Sequence, residues 1–281
     1  MHRLPTLAAI TVASLLGACG GNDATPDPGA VQGDDGAAHI HGLGVNPADR
    51  ALYVATHTGL FRAAAGEARP RRVGDRRQDT MGFTVAGPDL FLGSGHPDVR
   101  DELPSHLGLI RSEDRGRTWS PVSLLGDADF HVLRSRGRTL YGFDVTHGRL
   151  LASGDAGATW QQRRAPAPLV DLAIDPQDPR HLVASGPDGL FESPDGGRAW
   201  RARRGAPAGL LAWTDALVLI DGDGRVHRST DAGRTFTEAG AIGGRPAALA
   251  AHGRELYAAT HDNVIEVSRD GGRTWTVRAR A

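Results

Sequence analysis

Twelve histidines and two methionines are spread along this 281-residue chain, and several fall into a recurring pattern. Three stretches read His39-Ile-His41-Gly-Leu43, Asp79-Thr-Met81-Gly-Phe83 and Asp129-Phe-His131-Val-Leu133. Aligned on Leu43, Phe83 and Leu133, they set His41, Met81 and His131 at one level. His39, Asp79 and Asp129 then lie two residues earlier, on the same side of an extended chain. Four further histidines, His57, His96, His147 and His261, stand in short polar turns. Imidazole with thioether is a ligand set suited to copper, and imidazole with carboxylate suits zinc or another divalent ion. The same side chains would also suit the wall of a hydrated channel, bonded to one another and to water.

The elements that must position these residues are announced by an internal repeat. The chain contains Ser112-Glu-Asp-Arg-Gly-Arg-Thr-Trp119, Ser153-Gly-Asp-Ala-Gly-Ala-Thr-Trp160 and Ser193-Pro-Asp-Gly-Gly-Arg-Ala-Trp200. Ser229-Thr-Asp-Ala-Gly-Arg-Thr-Phe236 and Ser268-Arg-Asp-Gly-Gly-Arg-Thr-Trp275 follow. An aspartate accepts hydrogen bonds from turn amides, glycine supplies positive φ, and the terminal aromatic has a ring to bury. Asp114, Asp155, Asp195, Asp231 and Asp270 are therefore read as hairpin locks with no catalytic role. They recur about every 40 residues, the period of a four-stranded propeller blade. A strand rhythm without the motif precedes the first of them, at Ile40–Asn46, Leu52–Ala55, Leu60–Arg62 and near Val73. The expected fold is an all-β propeller of six four-stranded blades, roughly 39–75, 76–125, 126–166, 167–205, 206–242 and 243–281. A seventh unit cannot be found. Blade six carries its own last strand, so the ring is expected to close by packing.

In such a blade, the first-to-second and third-to-fourth hairpins share one face of the disc. The repeated motif marks that back face. The second-to-third turns and the starts of the inner strands lie on the opposite mouth, the expected ligand face. His57, His96, His147 and His261 fall in those turns, and the blade-two turn is the longest, running through Asp98, Arg100, Asp101, Glu102 and His106. Val170 and Ala247 occupy the His41 level in blades four and six. The ionisable and soft groups therefore gather on blades six, one, two and three. The candidate ligands are His39, His41, His57, Met81, His96, Asp129, His131, His147 and His261, for copper, zinc, a small molecule or a protein partner.

The repeated motif resembles the Asp-box, or BNR repeat, of sialidase-like propellers. Residues 39–281 are similar to bacterial lipoproteins of that group that carry a glycosyl hydrolase label. The resemblance implies a fold, with hydrolase activity as the alternative to a non-catalytic binding role. Sialidase chemistry needs three convergent arginines and a tyrosine nucleophile beside a glutamate. Phe61-Arg-Ala-Ala does not match the segment bearing the first arginine, and Tyr53, Tyr141 and Tyr257 each follow a leucine in a second strand, as core residues do. Other glycosidases need a carboxyl pair across the scissile bond, which Asp79, Asp98, Asp129, Asp144 and Asp262 could supply. Photosystem-assembly propellers with Asp-boxes provide an analogy for a protein-binding scaffold.

The amino terminus carries His2 and Arg3, then an apolar run from Leu4 to Leu16 that is short for a membrane span and has the layout of a signal peptide. Leu16-Gly-Ala-Cys19 resembles a bacterial lipobox, which implies cleavage after residue 18 and lipidation of Cys19. Residues 19–38 then form a Gly/Asp/Pro-rich tether without apolar periodicity. The expected location is the cell envelope, outside the cytoplasm and held to the membrane by lipid. Cys19 is the single cysteine, which rules out an internal disulfide framework. All 32 basic residues are arginine, and the net charge of −1 with scattered arginine pairs argues against a nucleic-acid surface.

Overall fold

The computed structural model describes residues 37, 39–203 and 205–281. The expected signal peptide, Cys19 and nearly all of the expected tether lie outside these residues. Among the described residues there is no helix, and the strands form six four-stranded antiparallel sheets in strict chain order. The protein is a six-bladed β-propeller.

The inner strands are Ile40–Val45, Asp79–Gly87, Phe130–Arg136, Asp171–Ile174, Gly209–Trp213 and Pro246–His252. Each lies against the inner strand of the next blade, and the last lies against the first. Blade six keeps its own outer strand, Thr276–Arg280, paired to Val264–Ser268, so the ring closes without strand exchange. Six apolar clusters fill the six seams between blades, one per seam. Tyr53, Phe61, Phe91 and Phe130 are among the largest fully buried side chains, each contributing about 1.5–3 kcal/mol through the surface it removes from water.

Each Asp-box forms the same lock, except that in blade four Ala199 stands in the threonine position and offers only its amide. In blade two, Ser112 Oγ donates to Asp114 Oδ1 (2.8 Å) and accepts the Gly116 amide (2.7 Å). Asp114 also accepts the Thr118 amide (2.9 Å) and hydroxyl (2.7 Å). The terminal aromatics Trp119, Trp160, Trp200, Phe236 and Trp275 are partly buried, and each packs on the seam cluster facing the preceding blade. Glycine is needed on two counts. At Gly157, φ is +87° and a Cβ would lie 2.1 Å from Leu109 Cδ2 of the preceding blade.

The seam between blades six and one has no box aromatic. Arg278 takes its place, donating to the carbonyls of Ala63 (3.1 Å), Ala64 (2.6 Å) and Glu67 (2.6 Å) in the blade-one hairpin. The Arg280 amide donates to Ala68 O (2.8 Å) beside it. Ala37, assigned to the tether by composition, is buried in this seam's apolar cluster.

Near the axis the inner strands approach one another closely. A Cβ on Gly82 would stand 2.3 Å from Phe130 O, which explains why a glycine follows Met81. The first two inner strands and those of blades three and six carry a β-bulge at their mouth end. The extra residue is His41, Met81, His131 and Ala247 respectively. A bulge re-aims the side chain it carries, and these are the four blades in which the sequence gathers its ligand-type residues.

Candidate functional site

Two cavities lie along the axis. The one on the mouth side, of about 160 Å³, is lined by His41, Met81, His131, Val170 and Ala247, the five residues aligned at one level from the sequence. The other, of about 350 Å³, opens among residues near the back ends of the inner strands, including Pro47, Gly87, Arg136 and His252. Leu43, Phe83, Arg134 and Leu249 line both.

The bulge residue of blade one, the turn of blade one and the strand start of blade two converge. His57 Nδ1 is 2.8 Å from Asp79 Oδ2, and His41 Nε2 is 3.7 Å from Asp79 Oδ1. The His41 and His57 rings meet edge to face at 4.3 Å. Ligand atoms of His41, His57 and Asp79 all lie within 4.8 Å of one another. His41 Nε2 and Asp79 Oδ1 are shielded from solvent and have no hydrogen-bond partner. Burial, followed by repulsion from His57, lowers the His41 pKa to about 4 against the opposing pull of Asp79. The ring is therefore neutral near pH 7, the form in which imidazole binds a metal. His39, in the left-handed region at φ 53°, is exposed and edges onto His57 at 5.2 Å.

One blade on, Asp129 Oδ2 accepts from His131 Nε2 (3.1 Å) and lies 3.6 Å from His96 Nε2. His96 Nδ1 meets Ser105 O at 2.9 Å, and the His106 ring edges onto His96 at 5.7 Å. Burial works to raise the Asp129 pKa, but the hydrogen bond from His131 and the fields of His131, His96 and His106 hold it below the usual range.

Two of the candidate histidines stand apart from these groups. His147 Nδ1 is drawn 2.8 Å from the buried Asp144, which Arg149 also contacts. His261 is exposed, and its backbone amide bonds to Arg245 O. By register His261 corresponds to His57 and His96, but the position filled by Asp79 or Asp129 in the other seams is held here by His39. His227, set outside the mouth by its place in a third strand, reaches the blade-five mouth turn through Asp221 (2.8 Å).

Sequence reading missed the pair below the mouth. Asp171, 1% exposed, is ion-paired with Arg134 and accepts the amides of Leu172 (2.7 Å) and Leu211 (2.9 Å). Arg134 also donates through Nε to Leu172 O (3.1 Å). Burial pushes the Asp171 carboxyl up, with Arg134 opposing it. Tyr53, Tyr141 and Tyr257 are buried, as expected of core residues.

No family model matches the chain, and no curated protein matches it either. Solved structures do. The GH74 enzyme of Niastella koreensis superposes with a TM-score of 0.61 at 15% identity, over 86% of this chain and 45% of that one. The GH74 xyloglucanase of Xanthomonas campestris gives 0.55 at 21%, over 86% and 45%. YCF48 bound to a D1 peptide gives 0.55 at 17%, over 87% and 83%. The shared property is the propeller. The chain spans less than half the length of these GH74 enzymes, and identities this low carry the fold and not the chemistry.

Proposed function

We propose that this protein is a lipid-anchored, extracytoplasmic propeller that holds a transition-metal ion, copper or zinc, at its mouth through His41, His57 and Asp79, and that it binds without catalysing a reaction. The observation that carries this reading is the pair of solvent-shielded atoms, His41 Nε2 and Asp79 Oδ1, 3.7 Å apart and without partners. Buried polar atoms left unpaired are costly, and a single cation between them would satisfy both. A tetrahedral ion with bonds of about 2.0–2.1 Å spaces its ligand atoms roughly 3.3 Å apart, close to the separation found. His57 supplies the third ligand after giving up its hydrogen bond to Asp79, and the fourth position stays open for water or a bound molecule.

The hydrolase alternative is less well supported. A glycosidase acid needs a carboxyl held protonated by a raised pKa. Asp129 and Asp144 are shifted the other way, hydrogen bonds outweighing burial, and the one raised carboxyl lining the mouth cavity, Asp171, is engaged by Arg134 and two backbone amides. Envelope anchoring rests on the resemblance of the Cys19 segment to a lipobox.

The test is titration of the full chain with Zn²⁺ and copper, beside His41→Ala and Asp79→Asn variants. Stoichiometric binding that both variants lose supports the reading. No binding at micromolar metal returns these side chains to the role of channel lining.

A further inference from the structure

We infer that the larger chamber, on the back side of the ring, is a second binding site, and that it takes a small organic anion, a carboxylate carried on a compact apolar body. The inference goes beyond the metal site and shares no side chain with it. It begins with the ends of the inner strands. Those of blades three, five and six finish on Arg136, Trp213 and His252, and all three residues line the chamber. Each carries a side chain that can donate a hydrogen bond. The volume of about 350 Å³ lies within the range of about 300–1,000 Å³ that small-molecule sites occupy.

The charge of the lining has one sign. No aspartate or glutamate lines the chamber. Of its two arginines, Arg134 is matched by the buried Asp171. Arg136 has no carboxylate partner among the described residues, and its Nη2 donates to Pro176 O (2.6 Å). Pro176 lines the same chamber, so this bond holds the guanidinium at the rim, reaching across to blade four. The carboxylates of the neighbouring back-face hairpins are engaged elsewhere, Asp89 by Asn46 and Arg115, Asp175 by His181, and Asp215 by Thr214 and Arg228. An unmatched cation over a concave wall draws an anion, and a guanidinium binds a carboxylate through charge-assisted hydrogen bonds. The Trp213 indole N–H and the His252 ring have no hydrogen-bond partner among the described residues. The Trp213 ring is set by the edge of His181 (5.1 Å), itself held between Asp175 (2.8 Å) and Glu192 (3.0 Å). The half-buried Val85, Ile174 and Ala250 supply apolar wall for the body of the ligand.

The experiment is calorimetric titration of the full chain with benzoate and hexanoate, beside benzamide and hexanamide as their neutral counterparts. At least one carboxylate is expected to bind once per chain, and its amide about tenfold more weakly or worse, a hydrogen bond to a charged group being worth about that factor. Arg136→Gln, at an exposed position, is expected to weaken the carboxylate by about the same factor and so to close the gap to the amide. Ala250→Phe, which fills the chamber, is expected to abolish binding of both. Thermal unfolding of Arg136→Gln should match that of wild type, so its readout stands even where the bulkier variant unfolds. A carboxylate and its amide that bind wild type alike overturn the anion assignment. Carboxylate binding unchanged in Arg136→Gln overturns the site, and so does the absence of binding by either carboxylate at millimolar concentration. Metal titration at His41, His57 and Asp79 is read separately and stands or falls on its own.

Discussion

Arg278→Met should loosen the ring at the one seam that lacks an Asp-box aromatic. The guanidinium donates to three backbone carbonyls of blade one, at 2.6 to 3.1 Å. Hydrogen bonds from a charged donor are each worth about 1.5–3 kcal/mol when lost. Arg278 is half-buried and water can replace part of what is removed, so we expect about 2–4 kcal/mol in total. Methionine keeps the apolar stem, which confines the loss to the polar head. For a domain of this size, about 2–4 °C of Tm accompanies each kcal/mol, and Tm should fall by roughly 4–16 °C. The assay is thermal unfolding followed by circular dichroism, with Arg269→Met as the control, since Arg269 is 64% exposed and bonds only Glu255. Hydrogen exchange should rise first along Ile40–Val45 and Thr276–Arg280. Equal Tm losses in the two variants, or exchange that rises evenly around the ring, would refute the clamp.

Three further outcomes follow from the same structure. The box aspartates are held below the ordinary carboxylate value of 3.8; Asp155 lies at about 2, through its hydrogen bonds from the Thr159 hydroxyl and amide and from Ser153. Carboxyls with depressed folded-state pKa values stabilise the fold above the unfolded value, and that contribution is lost as pH falls through the folded one. Tm should therefore drop steeply between about pH 4 and pH 2 and stay nearly level just above, and a flat profile across that window would count against the locks. Arg134→Met leaves the carboxylate of Asp171 buried without its cation, a loss of about 3–5 kcal/mol. Adding Asp171→Leu should restore part of it, and a urea-unfolding double-mutant cycle reads the coupling. Gly157→Ala combines a left-handed φ, worth about 1–2 kcal/mol, with a clash on Leu109 worth about 1–3 kcal/mol. Gly148→Ala, at φ +61° with nothing within 4 Å of the added carbon, should cost only the first part, and equal denaturation midpoints for the two would contradict the close approach.

The propeller was legible because its signal is local. Ser, Asp, Gly and an aromatic within eight residues build one hairpin, and their recurrence counts the blades. The common level of His41, Met81 and His131 was legible too, since strand alternation and the following apolar residue set it. The bulges were not. They arise from how the first strand of a blade pairs with the second, and they turn His41 toward Asp79 across a seam; His261, in the turn equivalent to that of His57, lacks such a partner because His39 stands where the other seams have an aspartate. The Arg134–Asp171 pair left no trace in the local pattern either. Its partners lie 37 residues apart on different blades, and Asp171 takes a strand position filled by glycine or valine in blades one, two and three.

The residues shared by the two chambers, Leu43, Phe83, Arg134 and Leu249, tie the histidine-bearing mouth to the chamber behind it. Arg134, held by the buried Asp171, lines both chambers, so one ion pair fixes part of the wall that the two chambers share. A change in that pair would be felt in both chambers at once.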